Sequence, residues 1–103
     1  RRGIAVDSLV SDGCIVSGAL VRRSILFYNS RVDEGSTVED AVILPGVQIG
    51  RDVRVRRAIV DKRCVLPDGC RIGFDEALDR QRFHVTERGI VLVTPEMLAP
   101  RPA

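Results

Sequence analysis

The sequence predicts an all-β chain: a parallel β-helix with 17-residue coils, capped by a short α-helix and a C-terminal strand. Three observations lead there. Four consecutive blocks, Asp7 to Arg23, Ser24 to Asp40, Ala41 to Arg57 and Ala58 to Phe74, align without gaps. Three of the aligned columns are always aliphatic: Leu9/Leu26/Ile43/Val60, Ile15/Val32/Ile49/Leu66 and Val21/Val38/Val55/Ile72. The composition is 45% hydrophobic but only 4% aromatic, so a core must be built from Val, Ile, Leu and Ala, which favours strands over a bundle.

Within each block the aliphatic columns follow a six-residue rule, two full hexads and one shortened by a residue. Four residues after the first two columns come compact residues, Gly13/Ser30/Val47/Cys64 and Ala19/Ser36/Val53/Cys70. Three short strands per coil, each pairing with its equivalent in the next coil at ~4.8 Å, would make a triangular prism. The aliphatic columns are expected to point inward. Gly18, Gly35 and Gly69, with Asp52 in the same column, suit corners that need unusual backbone angles. Pro45 and Pro67 also belong at corners, because inside a ladder each would delete a hydrogen bond.

The repeat stops at Ile72-Gly73, which sets a β-helix over 1–74 and a cap of the same domain over 75–103. In the cap, Phe74, Ala77 and Leu78 fall at helical spacing behind Asp75, a good N-cap, and predict a helix over 75–82. Gly89 to Thr94 reads as one buried strand ended by Pro95. Such a cap would hide the unpaired edge of the last coil.

With 16 basic and 14 acidic residues the charge nearly cancels, which excludes a general pull on nucleic acid or anionic membrane. Arg22-Arg23, Glu39-Asp40 and Arg56-Arg57 stack on successive coils, as do Glu34, Arg51 and Asp68, and read as solvated ion ladders. Lys62 and Arg63, at an outer corner, are expected beside Arg51, Arg54, Arg56, Arg57 and Arg71, a local basic patch able to hold a phosphorylated metabolite or simply a solvated face. An outward column of Val10, Phe27, Leu44 and then Asp61 is apolar in three of four coils. It is either covered by a neighbouring loop or the C-terminal strand, or a docking ridge for another domain or subunit.

Catalytic signals are missing. The single histidine, His84, lies beyond the repeat, so neither a three-histidine zinc site nor a coil-loop catalytic histidine is available, and His84 reads as a surface or cap residue. Cys64 and Cys70 fall in compact inward columns as small core hydrophobes, and Cys14 has no neighbouring base. An odd number of cysteines with no CxxC pair fits a reducing cytoplasm. No run approaches the ~20 apolar residues of a membrane span, and Arg1-Arg2-Gly3 is followed by too little hydrophobic sequence for a signal peptide. The chain opens on arginine in mid-pattern, as a piece of a longer protein would. No phosphate loop or paired catalytic carboxylates occur, so the chain by itself is expected to be inactive, with no catalytic, metal or cofactor-binding residues.

The ordered strings DSLVSDGC from Asp7, SILF from Ser24, VEDAVILP from Val38, RRAIVD from Arg56, LPDG from Leu66, Arg82-Phe83 and GIVLVTPEML from Gly89 closely resemble the C-terminal domain of bacterial glucose-1-phosphate adenylyltransferase, or ADP-glucose pyrophosphorylase. The resemblance covers nearly the whole chain. It implies a left-handed β-helix, a hand that the repeat pattern alone does not give. It further implies a homotetrameric cytoplasmic enzyme of glycogen synthesis that joins ATP and glucose 1-phosphate, with magnesium, to give ADP-glucose and pyrophosphate. Catalysis would belong to an N-terminal nucleotidyltransferase domain outside this chain. This domain would pack against it, build subunit contacts and help bind a phosphorylated or carboxylate effector. Lys62, after Asp61, matches the family's activator-contacting basic residue, as Lys where Arg is common, and Ser11-Asp12-Gly13 resembles an effector-lining loop. Pro95 and Ala99 stand where some relatives carry arginines for a sugar bisphosphate, a departure that bears on which metabolite is the activator. Two readings stay open here: a regulatory and assembly module of that enzyme, or a free-standing hexapeptide-repeat binding or scaffold protein.

Overall fold

The structure is a computed structural model that describes residues 3–99; the ends of the two expected segments, 1–2 and 100–103, lie outside the described residues. The coils begin with β1 (Ile4–Val6), β2 (Leu9–Val10), β3 (Ile15–Val16) and β4 (Leu20–Arg22). They continue through β5 (Ile25–Leu26), β6 (Arg31–Val32), β7 (Thr37–Glu39), β8 (Val42–Ile43), β9 (Gln48–Ile49) and β10 (Arg54–Arg56) to β11 (Ala58–Val60), β12 (Val65–Leu66) and β13 (Arg71–Ile72). After them come α1 (Glu76–Arg82), β14 (His84–Val85), β15 (Val91–Val93) and α2 (Pro95–Leu98).

Strands three apart pair in parallel and build three faces: a five-stranded sheet β1-β4-β7-β10-β13, a six-stranded sheet β14-β15-β11-β8-β5-β2 and a four-stranded sheet β12-β9-β6-β3. This is a solenoid of about four turns, the left-handed hexapeptide β-helix architecture expected from the resemblance. Core columns line the axis. Val21, Leu26, Val32, Val38, Ile43, Val55, Val60 and Ile72 are fully buried.

Corners need left-handed backbone, and all three edges of the prism use it. One edge repeats Asp7, Arg23, Asp40 and Arg57 at φ 48°, 46°, 49° and 51°. Another carries Gly18, Gly35, Asp52 and Gly69 at 61°, 77°, 55° and 76°, as the glycine column predicts. For Asp and Arg these angles carry some steric cost, repaid by the coil's packing and by backbone bonds such as Asp40 N–H to the Arg22 carbonyl at 3.1 Å. Buried serines at the corners are satisfied: the Ser36 hydroxyl donates to the Gly50 carbonyl at 2.6 Å and accepts from Val53 N–H at 2.9 Å.

One expectation is overturned in the first coil. Leu9 and Ile15 were expected inward, but β2 pairs Leu9 with Ile25 and Val10 with Leu26, and β3 pairs Ile15 with Arg31 and Val16 with Val32. Leu9 is therefore 68% and Ile15 51% exposed, while Val10 and Val16 take the inward register. The cause is a corner one residue short: Ser17, Gly18 and Ala19 link β3 to β4, where Asp33 to Ser36 link β6 to β7. Upstream of that corner the offset to the next coil is 16, and downstream it is 17, as in Leu20 opposite Thr37. Because side chains alternate, a slip of one residue turns every side chain to the other face. Gly13 likewise leaves the compact inward column, which Cys14 enters: half-buried, with its thiol donating to the Phe27 carbonyl at 3.0 Å as the Ser30 hydroxyl does to Leu44 at 3.1 Å.

The cap forms as its capping chemistry predicts. The Asp75 carboxylate accepts from Leu78 N–H at 3.1 Å and starts α1. Asp79 of α1 is 3% exposed and accepts from Gly73 N–H at 3.0 Å, which clamps the helix onto the end of the last coil. β15 continues the six-stranded face in parallel beside β11, and β14 closes it antiparallel. Pro95 ends the strand and also opens α2, a position where its missing N–H costs nothing.

Candidate functional site

The edge between the six-stranded and four-stranded faces gathers the residues that the sequence singles out. Its four tight turns are Asp12-Gly13, Tyr28-Asn29, Pro45-Gly46 and Lys62-Arg63, one above the other. Asn29 N–H donates to the Asp12 carbonyl at 3.1 Å, Gly46 N–H to Tyr28 at 3.1 Å and Arg63 N–H to Pro45 at 2.9 Å, so the edge is a continuous backbone ladder. The second turn residue is left-handed throughout: Gly13, Asn29, Gly46 and Arg63 have φ 76°, 59°, 72° and 61°. A Cβ at Gly13 would also collide with the Asn29 carboxamide of the next coil.

Lys62 sits at the last of these turns, exposed, its N–H donated to the Asp61 carboxylate at 2.8 Å. With Arg63, Tyr28, Asn29, Pro45 and Gly46 it lines a shallow hollow of about 220 Å³. A lysine, an arginine and a tyrosine on one hollow are residue types that suit a phosphate or carboxylate. Ser11-Asp12-Gly13 occupies the same edge three coils away, ~14 Å at the strand spacing of a sheet, so one small anion touches one end or the other. Tyr28 went unnoticed in the sequence, although its position in the repeat is the same as that of Lys62.

The expected basic patch does not assemble. Each coil wraps once around the prism, so Arg54, Arg56 and Arg71 fall on the five-stranded face, Arg51 on the edge shared by the five- and four-stranded faces, and Arg57 on the third edge, away from Lys62. The ion ladder forms in part on that third edge. Arg23 grips Asp40 with two bonds of 2.7 and 3.1 Å and reaches Glu39 at 3.5 Å, and the hydrogen bond from Arg23 holds the Asp40 carboxyl below its ordinary range. Arg56 and Arg57 turn instead to the cap: Arg56 donates to the Gly73 carbonyl at 3.0 Å and lies 4.3 Å over the Phe74 ring, and Arg57 donates to the Arg88 carbonyl at 2.6 Å. In the other expected stack, Arg51 offers its backbone N–H to the Asp68 carboxylate at 2.8 Å.

Val10 does not share the column of Phe27 and Leu44. With the first coil displaced, the residue equivalent to Phe27 is Ser11, and Val10 is in register with buried Leu26. Phe27 and Leu44 remain on the outer surface of the six-stranded face, followed by Asp61. Cys64 is fully buried, which pushes its thiol up to about 11, the opposite of an activated nucleophile. His84 is exposed on β14.

A protein-family model described as GlmU-like, C-terminal hexapeptide, matches residues 1–93. The chain is 57% identical over 101 residues to a glucose-1-phosphate adenylyltransferase of Nitrosospira multiformis, an alignment covering 98% of this chain and 24% of that protein. It is 62% identical over 98 residues to the enzyme of that name from Paramagnetospirillum magneticum and 59% to that from Methylobacillus flagellatus, covering 95% of this chain and 23% of each relative. The chain thus spans about a quarter of the length of these relatives. Its four coils, left-handed corners and matched span place it in a known family: the chain belongs to the GlmU-like C-terminal hexapeptide family.

Proposed function

We propose that this chain is the regulatory and assembly domain of a glucose-1-phosphate adenylyltransferase, a nucleotidyltransferase that joins ATP and glucose 1-phosphate into ADP-glucose and pyrophosphate for glycogen synthesis. The observation that carries the reading is 57–62% identity along nearly the whole chain to enzymes of that name. It weighs against a free-standing scaffold. Magnesium and ATP belong to the portion of the enzyme outside this chain; among the described residues no three His, Cys, Asp or Glu side chains gather to hold a metal ion. The partners are the N-terminal nucleotidyltransferase domain of the same polypeptide and further copies in a cytoplasmic homotetramer. Among the described residues no helix is long and apolar enough to cross a membrane.

The effector reading rests on the Lys62 edge, where Lys62, Arg63 and Tyr28 line one hollow. A phosphorylated or carboxylate metabolite bound there would report to the catalytic part through whatever packs on Phe27 and Leu44, and Ser11-Asp12-Gly13, three coils away on the same edge, would line a separate contact rather than share that anion. The test is activation of the full-length enzyme carrying Lys62→Ala, assayed as ADP-glucose formation against effector concentration. The expected result is unchanged basal turnover with half-maximal activation shifted to at least ~tenfold higher effector, the value of one charged contact of ~1.4 kcal/mol or more. An unaltered activation curve rejects Lys62.

A further inference from the structure

The five-stranded face gathers positive charge that the chain itself leaves uncompensated. Side chains alternate along a strand, so one outward column of this face runs through Thr37, Arg54 and Arg71, and the next through Arg22, Glu39 and Arg56. Arg54 and Arg71 are direct partners on β10 and β13, ~4.8 Å apart at the strand spacing, and both are exposed. Like charges placed directly opposite one another destabilise a sheet. Among the described residues neither of the two meets a carboxylate, whereas Arg23, Arg31 and Arg80 each hold one. Arg56, two residues beyond Arg54 on the same side of β10, donates Nε and Nη2 to the Gly73 carbonyl at 3.2 and 3.0 Å, which fixes its head beside the position two residues beyond Arg71. The patch is bounded on both sides. Glu39 borders it toward one edge, where it lies 3.5 Å from Arg23, and Asp52 and Asp68 stand at the opposite corner.

We propose that Arg54, Arg71 and Arg56 form a docking site for a short acidic segment of another protein, bound in extended form with its carboxylates two residues apart. The spacing selects this occupant. Side chains on one side of an extended segment recur every ~6.6–6.8 Å, which is also the separation of Arg54 from Arg56 along β10. One carboxylate then sits between Arg54 and Arg71 and the next reaches Arg56, in the charge-assisted geometry that guanidinium forks favour. A small free anion is a poorer fit, because the hollows at Lys62 and beneath the cap include neither Arg54 nor Arg71, and an exposed pair on an open sheet holds one isolated group weakly. A long polyanion is poorer still: it would run onto Glu39 at one side or Asp52 and Asp68 at the other, on a chain whose net charge is only +2.

The test titrates the full-length polypeptide into a dye-labelled peptide of alternating threonine and glutamate, read by fluorescence anisotropy. Arg54→Gln/Arg71→Gln, both at exposed positions, is expected to raise the Kd at least about tenfold, the loss of two charge-assisted contacts, while Lys62→Ala leaves it unchanged. A peptide of the same composition with its glutamates contiguous is expected to bind more weakly, and Arg54→Glu/Arg71→Glu to transfer binding to an alternating threonine and lysine peptide. Equal Kd for the unsubstituted polypeptide and the glutamine variant overturns the proposal, as does the absence of binding to the unsubstituted polypeptide. So does inorganic phosphate that binds through Arg54 and Arg71 where the peptide does not, which would make this a small-anion site. A fall in assembly mass in the glutamine variant overturns it too, by showing that this face is a contact between copies.

Discussion

Replacing Ile15 and Ile49 by alanine, one at a time, tests the displaced register of the first coil. In the ungapped repeat both occupy one column and both would line the axis. In the folded chain Ile49 is 1% exposed and Ile15 51%, because the Ser17-Gly18-Ala19 corner is one residue short. Ile49→Ala removes a fully buried side chain from a stack closed by Val32 and Leu66, and should cost about 2–5 kcal/mol. Ile15→Ala removes a side chain with half its surface already in water and leaves no enclosed cavity, so the loss is that of partial burial, ~1 kcal/mol or less. The corresponding falls in midpoint are ~8 °C or more for Ile49→Ala and ~4–8 °C at most for Ile15→Ala in a domain of this size. Urea titration followed by circular dichroism gives both values at 25 °C. If Ile15→Ala costs as much as Ile49→Ala, the 16-residue offset is wrong and the ungapped repeat is right.

Two further substitutions probe the polar groups inside the coil and at its cap. Ser36→Ala strips the donor from the Gly50 carbonyl and the acceptor from Val53 N–H, and should cost ~1–3 kcal/mol for buried backbone groups left unpaired; a change below 0.5 kcal/mol in urea titration would mean that water takes its place. Burial raises the Asp79 carboxyl above its ordinary 3.8, against the opposing bond from Gly73 N–H. Between 3.8 and its raised value the folded chain binds more proton than the unfolded one, so stability from this group is present at low pH and falls as pH rises through that window. Asp79→Asn keeps an acceptor and removes the charge, so its stability relative to the parent should improve from acid to neutral pH; a difference constant across pH would refute the burial argument.

Much of this fold was legible because a coil must repeat its core at a fixed period. Val21, Val38, Val55 and Ile72 were assigned inward on spacing alone and are all fully buried. Asp75 declared the cap helix, since a carboxylate that can accept from the N–H three residues on has few better uses. The first coil was misread for a physical reason: Leu9, Val10, Ile15 and Val16 are all aliphatic, so hydrophobicity does not say which of two neighbours faces in, and only the length of the corner after Val16 decides. β14 and α2 carried no usable pattern, being two and four residues long. At the candidate site, Lys62 was legible as a corner residue and Ser11-Asp12-Gly13 only through the family resemblance, but the five arginines near Lys62 in sequence scatter over two other edges and a face, because neighbours in sequence are carried around the prism.

That geometry divides labour within the chain. A residue's neighbours along the axis are those 16 or 17 positions away, so each face and each edge is a column whose chemistry can be set with little effect on the other columns. Here one edge carries the alternating charges Asp7, Arg23, Asp40 and Arg57, and another carries the turns that end in Lys62-Arg63. The six-stranded face carries the aliphatic ladder from Leu9 to Leu92. The Lys62 edge borders that ladder directly, since Phe27, Leu44 and Asp61 immediately precede Tyr28, Pro45 and Lys62. A partner docked on the ladder would therefore meet the rim of the Lys62 hollow, and an anion bound in that hollow would act on the docked surface within one residue of the seam. A regulatory site at this edge needs no long path through the core: its coupling would be a contact shared between ligand and docked partner.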